Sequence, residues 1–118
     1  MDFTLTAGNG FAGIANHHPR PGEQALYSRP EHPLTKDYAI LGLLPRLQSG
    51  RKMLIYSGLT TMGTQAAVEF TCRRETLQEL MKTVAGPNGE IRPFEAVLET
   101  SIGGDVPLQT RIIAIHLR

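Results

Sequence analysis

Apolar residues change their spacing twice along this chain, and the changes mark out its elements. Tyr38-Ala-Ile-Leu-Gly-Leu-Leu44 and Met53-Leu-Ile-Tyr56 are short unbroken apolar runs flanked by turn residues, the pattern of strands buried on both faces. They predict strands over residues 38–44 and 52–57. The connection Pro45-Arg-Leu-Gln-Ser-Gly50 is short enough to close them into an antiparallel hairpin. After Gly58 the period becomes helical: Met62, Ala66, Ala67 and Phe70 share one face, with Thr60 or Thr61 placed to cap a helix over residues 61–71. Leu77, Leu80, Met81 and Val84 then form the i, i+3, i+4, i+7 stripe of a second helix, which Gly86-Pro-Asn-Gly89 ends, while Glu75, Gln78, Glu79 and Lys82 face solvent. Alternation returns in the last third. Phe94, Ala96, Leu98 and Ile102 line one strand face, Gly103-Gly104-Asp105 turns the chain, and Ile113, Ile115 and Leu117 alternate on the return of a long hairpin.

The first 36 residues are less regular. Phe3 and Leu5 alternate with polar neighbours as one short strand, after which Gly8, Gly10, Gly13, Pro19, Pro21, Pro30 and Pro33 break any period and predict a surface arm. Within that arm, residues 25–27 offer a short edge pairing. The expected architecture is a mixed α/β domain spanning residues 1–118: the strand and Gly/Pro-rich arm over 1–36, then a core over 37–118 in which two consecutive helices pack on one largely antiparallel sheet of about five strands. No internal repeat or low-complexity tract is present.

Composition narrows the class without naming a function. The 118 residues are about the size of one domain, and 41% hydrophobic with 19% charged is a globular balance rather than a disordered one. Twelve basic residues against eleven acidic ones give a formal charge of +1, which supplies no broad electrostatic case for nucleic acid or an anionic membrane. A single cysteine, Cys72, excludes an internal disulfide, and the start Met1-Asp2-Phe3 lacks the basic and apolar regions of a secretory signal. Together these suit a reducing, cytoplasmic setting. The longest apolar run stops at Pro45, far short of the roughly 20 residues of a membrane helix.

Among possible sites, the turn Ser57-Gly-Leu-Thr-Thr-Met-Gly-Thr64 is the candidate for ligand binding. It places two glycines and three threonine hydroxyls where a strand becomes a helix, and the free amides of a first helical turn, with the positive end of its dipole, can hold a phosphate or carboxylate. The candidate ligand residues are Gly58, Thr60, Thr61, Gly63 and Thr64. The same residues also suit a plain helix cap and a tight turn. No Walker-type Gly-Lys-Ser/Thr follows, so nucleotide hydrolysis is not indicated. Gly8-Asn-Gly-Phe-Ala-Gly13 spells the dinucleotide fingerprint, but Ile14-Ala-Asn-His-His-Pro19 leaves no room for the helix that fingerprint needs. His17, His18 and His32 lack cysteine or clustered carboxylates at ligand spacing, so they read as surface-loop residues, and no metal or cofactor is expected.

No catalytic group is assigned. Cys72 lies beside Arg73 and Arg74, which would favour a thiolate, yet no base is placed for it, and it reads as packed and inert. The two arginines read as solvated charges flanking a helix. Glu95 and Glu99 share a strand face about 13 Å apart, too far to share a proton, and with Glu69 are the carboxylates nearest the core. Both strand glutamates read as outward-facing, and His116 as a simple strand side chain.

The blocks Asp37-Tyr-Ala-Ile40, Gly50-Arg-Lys52, residues 58–71 and the Gly103-Gly104 hairpin together resemble the C-terminal portion of an uncharacterised bacterial family. In that family this portion commonly follows a winged-helix or other regulatory segment, and Gly63 to Phe70 is its most specific block. The resemblance covers about two-thirds of the chain. It implies a regulatory or sensing role in a longer parent protein, with no reaction attached. The winged helix has no counterpart here, so DNA binding does not carry over. The family's α/β sequence ahead of Asp37 is mostly missing too, which leads to the expectation that a sheet edge is completed by a second copy, a homodimer. A non-catalytic regulatory, sensing or interaction domain is therefore the leading expectation. The alternatives are a small enzyme or enzyme subunit acting at the same turn, and a structural assembly partner.

Overall fold

The computed structural model describes residues 1–8, 11–28, 35–45, 51–104 and 106–118. Its elements run β1 (Phe3–Gly8), β2 (Phe11–Asn16), β3 (Leu26–Ser28), β4 (Lys36–Pro45), β5 (Lys52–Gly58), α1 (Thr61–Cys72), α2 (Arg74–Val84), β6 (Phe94–Gly103) and β7 (Val106–Leu117). The class is mixed α/β and antiparallel throughout. The expected single sheet of about five strands is corrected to two sheets, one of three strands in the order β1-β2-β3 and one of four in the order β5-β4-β6-β7. Pro30, Pro33, His32, the 46–50 connection and Asp105 lie outside the described residues.

Much of the segment expected to be an arm is therefore sheet. Phe3 pairs with Asn16 and Gly8 with Phe11, so the apparent dinucleotide fingerprint begins and ends on paired strands, with Gly13 inside β2. The expected short pairing near residues 25–27 is β3, where Tyr27 faces Ile14.

β4 is central in the larger sheet, and its apolar run is buried on both faces as expected. Ala39 and Leu41 point towards the helices and pack with Ala67, Phe70, Leu80, Val84, Phe94, Ala96 and Leu98. Tyr38 and Ile40 point the other way and pack with Phe3, Ile14, Tyr27, Val97 and Ala114. The layers are thus helices, four-stranded sheet, three-stranded sheet, with apolar core on each side of the middle one.

β5 departs from its expected burial. Among the described residues it is an edge strand paired only with β4, and Met53 and Leu54 are 46% and 49% exposed. The terminal hairpin forms as predicted, but its alternation slips: Val97 pairs with Ala114 while Leu98 pairs with Ile112, which leaves Ile113 as an extra residue. Ile113 therefore packs towards the three-stranded sheet, while Ile112, Ile115 and Leu117 pack towards the helices.

Candidate functional site

The strand-to-helix turn is organised by a residue of the neighbouring strand. β4 runs past the end of β5, whose pairing stops at Ala39 with Gly58, so Asp37 and Tyr38 project under the turn. Leu59 N–H donates to Tyr38 O (3.0 Å), wrapping the chain over the strand end. The first turn of α1 has no acidic residue of its own. Asp37, fully buried, supplies one: its Oδ2 accepts from Thr60 N–H (3.1 Å), Thr60 Oγ1–H (2.6 Å) and Gly63 N–H (2.9 Å). A carboxylate at a helix N-terminus is stabilised by the free amides and by the dipole together.

The five candidate ligand residues can now be placed. Thr60 is the cap, its Oγ1 accepting from Met62 N–H at 3.2 Å. Thr64 Oγ1 accepts from Gly58 N–H (3.0 Å) and donates to Thr60 O (3.4 Å). A Cβ on Gly63 would stand 2.4 Å from Asp37 Oδ2, and one on Gly58 would stand 2.3 Å from Thr64 N, so both positions need glycine for close approach. Thr61 is exposed at the start of α1. Thr60 and Gly63 therefore bond one internal carboxylate, with Gly58 and Thr64 bonded to each other beside them, and an external anion at these amides has to displace Asp37. The carboxylate's other oxygen, Oδ1, is buried with no hydrogen-bond partner among the described residues.

Two surface hollows border this element. A groove of about 250 Å³ runs between α1, α2 and β7, with Glu69, Arg73, Thr76 and Glu79 on one side and Pro107 and Leu108 on the other. A second, about 300 Å³ and nearly all apolar, opens beside β5 between Leu54, Tyr56, Leu77, Leu80, Ile91 and Phe94. Tyr56 ties its wall to α1 through a 2.8 Å hydrogen bond between its hydroxyl and Thr71 Oγ1.

Several expectations about reactive groups are corrected. Cys72 is exposed at the end of α1, not packed. Arg73 is largely solvated as expected and lies 3.7 Å from Glu69. His17 and His18 are exposed and diverge: His17 Nε2 lies 2.7 Å from Thr4 Oγ1, and His18 Nδ1 lies 3.0 Å from Asp2 Oδ1. Glu99 is half-buried, bonded by the Tyr38 hydroxyl (3.3 Å) and by Arg111 Nη2 (2.9 Å). Among the described residues no group of three or more His, Cys, Asp or Glu side chains is arranged to hold a metal ion, and no helix is long and apolar enough to cross a membrane.

The largest correction concerns Glu95 and His116, paired across β6 and β7 and both fully buried between the sheets. His116 Nδ1 lies 2.7 Å from Asp2 Oδ2, and its Nε2 lies 2.8 Å from Glu23 Oε1. Glu95 accepts from the N–H groups of Asp2 (3.1 Å) and Phe3 (3.2 Å) and from Arg118 Nη1 (3.1 Å). The His116 hydrogen bond holds the Asp2 carboxyl below its ordinary value against the upward pull of burial, with His18 adding to the effect. Burial pushes Glu23 up, but the Arg20 amide, His116 and Asn16 together bring it below its ordinary value. Sequence offered little warning, because Asp2 and Glu23 stand 114 and 93 residues from His116. The available signal was a pair of ionisable residues, Glu95 and His116, within the otherwise apolar stretches 94–98 and 112–117.

Against this geometry, no protein-family model matches the chain, and neither curated proteins nor solved structures give a match.

Proposed function

We propose that this chain is a non-catalytic interaction domain that works through the open edge of β5 and the apolar hollow beside it, with a second copy of the chain as the occupant. The observation that carries this reading is an edge strand whose Met53 and Leu54 are about half exposed, with Leu54 at the lip of an apolar hollow. An edge of this kind is a template for strand addition. Two-fold antiparallel pairing centred on Ile55 sets Leu54 against Tyr56 and Lys52 against Gly58, so the seam between copies carries no like-charge contact. The regulatory context rests on the resemblance of the blocks at Asp37 and Gly63 to Phe70.

The absence of a matched nucleophile and base in a cleft among the described residues argues against the enzyme alternative. Cys72 has no imidazole or carboxylate bonded to it, and the Thr4 and His17 pair is exposed and outside the hollows described above. Sedimentation velocity across a concentration series tests the proposal. Wild type is expected to shift from monomer to dimer and Leu54→Lys to remain monomeric with unchanged circular dichroism. A wild type that stays monomeric throughout would sink the reading.

A second reading, anion sensing at Gly58, Thr60, Thr61, Gly63 and Thr64, requires an external anion that displaces the Asp37 carboxylate from the amides of Thr60 and Gly63. Thermal shift with phosphate and with citrate separates the two readings. Stabilisation that Thr60→Ala abolishes supports sensing, and no stabilisation by either anion removes it.

A further inference from the structure

Among the described residues the three-stranded sheet shares no strand ladder with the four-stranded one. Its apolar contribution to the seam is three large buried side chains, Phe3, Ile14 and Tyr27. Among the described residues, every hydrogen bond from the segment 1–28 to the rest of the chain ends on Glu95 or His116. The polar attachment of a whole sheet is thus gathered at one corner.

At that corner the chemistry is unusually demanding. Both ring nitrogens of His116 face carboxylate oxygens, at 2.7 and 2.8 Å, and the ring is fully buried with the Phe3 ring centroid 4.6 Å away. A neutral imidazole has one N–H, so it satisfies one ionised carboxylate and turns a lone pair on the other. Only the doubly protonated ring donates to both. The charged and titratable groups around it are Asp2 and Glu23 facing its nitrogens, Glu95 opposite on β6 with Arg118 bonded to it, and His18 on the far oxygen of Asp2. Asn16 Nδ2 and the Arg20 amide, each 3.0 Å from Glu23 Oε1, fix the acid in place.

We propose that the sheet β1-β2-β3 is a proton-gated cover: it is latched while His116 carries a proton on both ring nitrogens between ionised Asp2 and Glu23, and it lifts as a unit when that charge pattern is lost. Lifting bares the apolar face formed by Tyr38, Ile40, Val97 and Ala114. The gate has two sides. Asp2 and Glu23 lie below their ordinary values of 3.8 and 4.5, so their contribution to docking is complete above those values and is lost as pH falls through the lowered folded ones. On the alkaline side, loss of one ring proton turns a lone pair of the buried ring on a partly buried carboxylate, a repulsive contact in place of a hydrogen bond.

NMR of the ¹⁵N-labelled wild-type chain tests this without any variant. Ring nitrogen shifts are expected to show His116 doubly protonated while the three-stranded sheet is docked. Amide protection factors in β1, β2 and β3 are expected to fall roughly ten- to a hundredfold as the ring deprotonates and again in acid, while those of β4 and β6 hold. His116→Gln is expected to lower protection in the three-stranded sheet at neutral pH and to erase the alkaline step. A singly protonated ring while the three-stranded sheet stays protected, or protection lost from both sheets in step, would overturn the proposal.

Discussion

Asp37 is the residue on which the helix start depends. Its Oδ2 takes three donors from the 60–63 segment, so Asp37→Ala removes a charge-assisted cap and leaves buried amides unpaired. The expected loss is about 2–4 kcal/mol, read as a shift in urea midpoint with unchanged slope. Because the space left behind is lined with donors, formate should restore part of that stability, and chloride at equal ionic strength should not. Gly63→Ala is expected to be at least as damaging, since its Cβ would sit 2.4 Å from the same oxygen in a buried setting. The turn was legible in the sequence because glycine and threonine at a change of period mark a helix start wherever they occur. The carboxylate that fills it was not, since Asp37 precedes Thr60 by 23 residues and meets it only once β4 and β5 are paired.

At the scale of elements, local periodicity predicted the helices and the main strands closely. The helix expected over 61–71 is Thr61–Cys72, and the strands expected over 38–44 and 52–57 are Lys36–Pro45 and Lys52–Gly58. What periodicity does not carry is position within a sheet. The same kind of apolar run is central in β4 and at an edge in β5, because burial is decided by neighbours distant in sequence. The bulge at Ile113 was hidden for the same reason, as it exists only relative to β6. The end of α2 shows a further long-range device. Arg92 donates from Nη2 to Thr83 O (2.9 Å) and from Nε to Val84 O (3.2 Å), placing a cation on the carbonyl end of the helix. Arg92→Ala is expected to cost about 1–2 kcal/mol by urea denaturation, and Arg92→Lys to recover only part, since an ammonium cannot reproduce the forked geometry.

Across the whole molecule, the four-stranded sheet is sandwiched between the helices and the smaller sheet, and Tyr38 reports on the second of those seams. It is buried on the face of β4 turned towards Tyr27, whose ring centroid is 5.9 Å away, and its hydroxyl donates to Glu99 at 3.3 Å. Burial, reinforced by the Glu99 carboxylate, pushes the phenol up from 10.0 to about 12. A raised folded value means that the neutral phenol favours the native state. Its contribution is whole below pH 10, the unfolded value, and is lost as pH climbs through about 12. Alkaline titration followed by tyrosinate absorbance should therefore show a late-ionising group near pH 12, with near-ultraviolet circular dichroism falling over the same interval. Tyr38→Phe should remove that group and flatten the stability profile between pH 10 and 12, because Glu99 keeps Arg111 as its partner. If Tyr38 instead ionised at its ordinary value with the native signal intact, the phenol would have to be in water rather than packed between the two sheets.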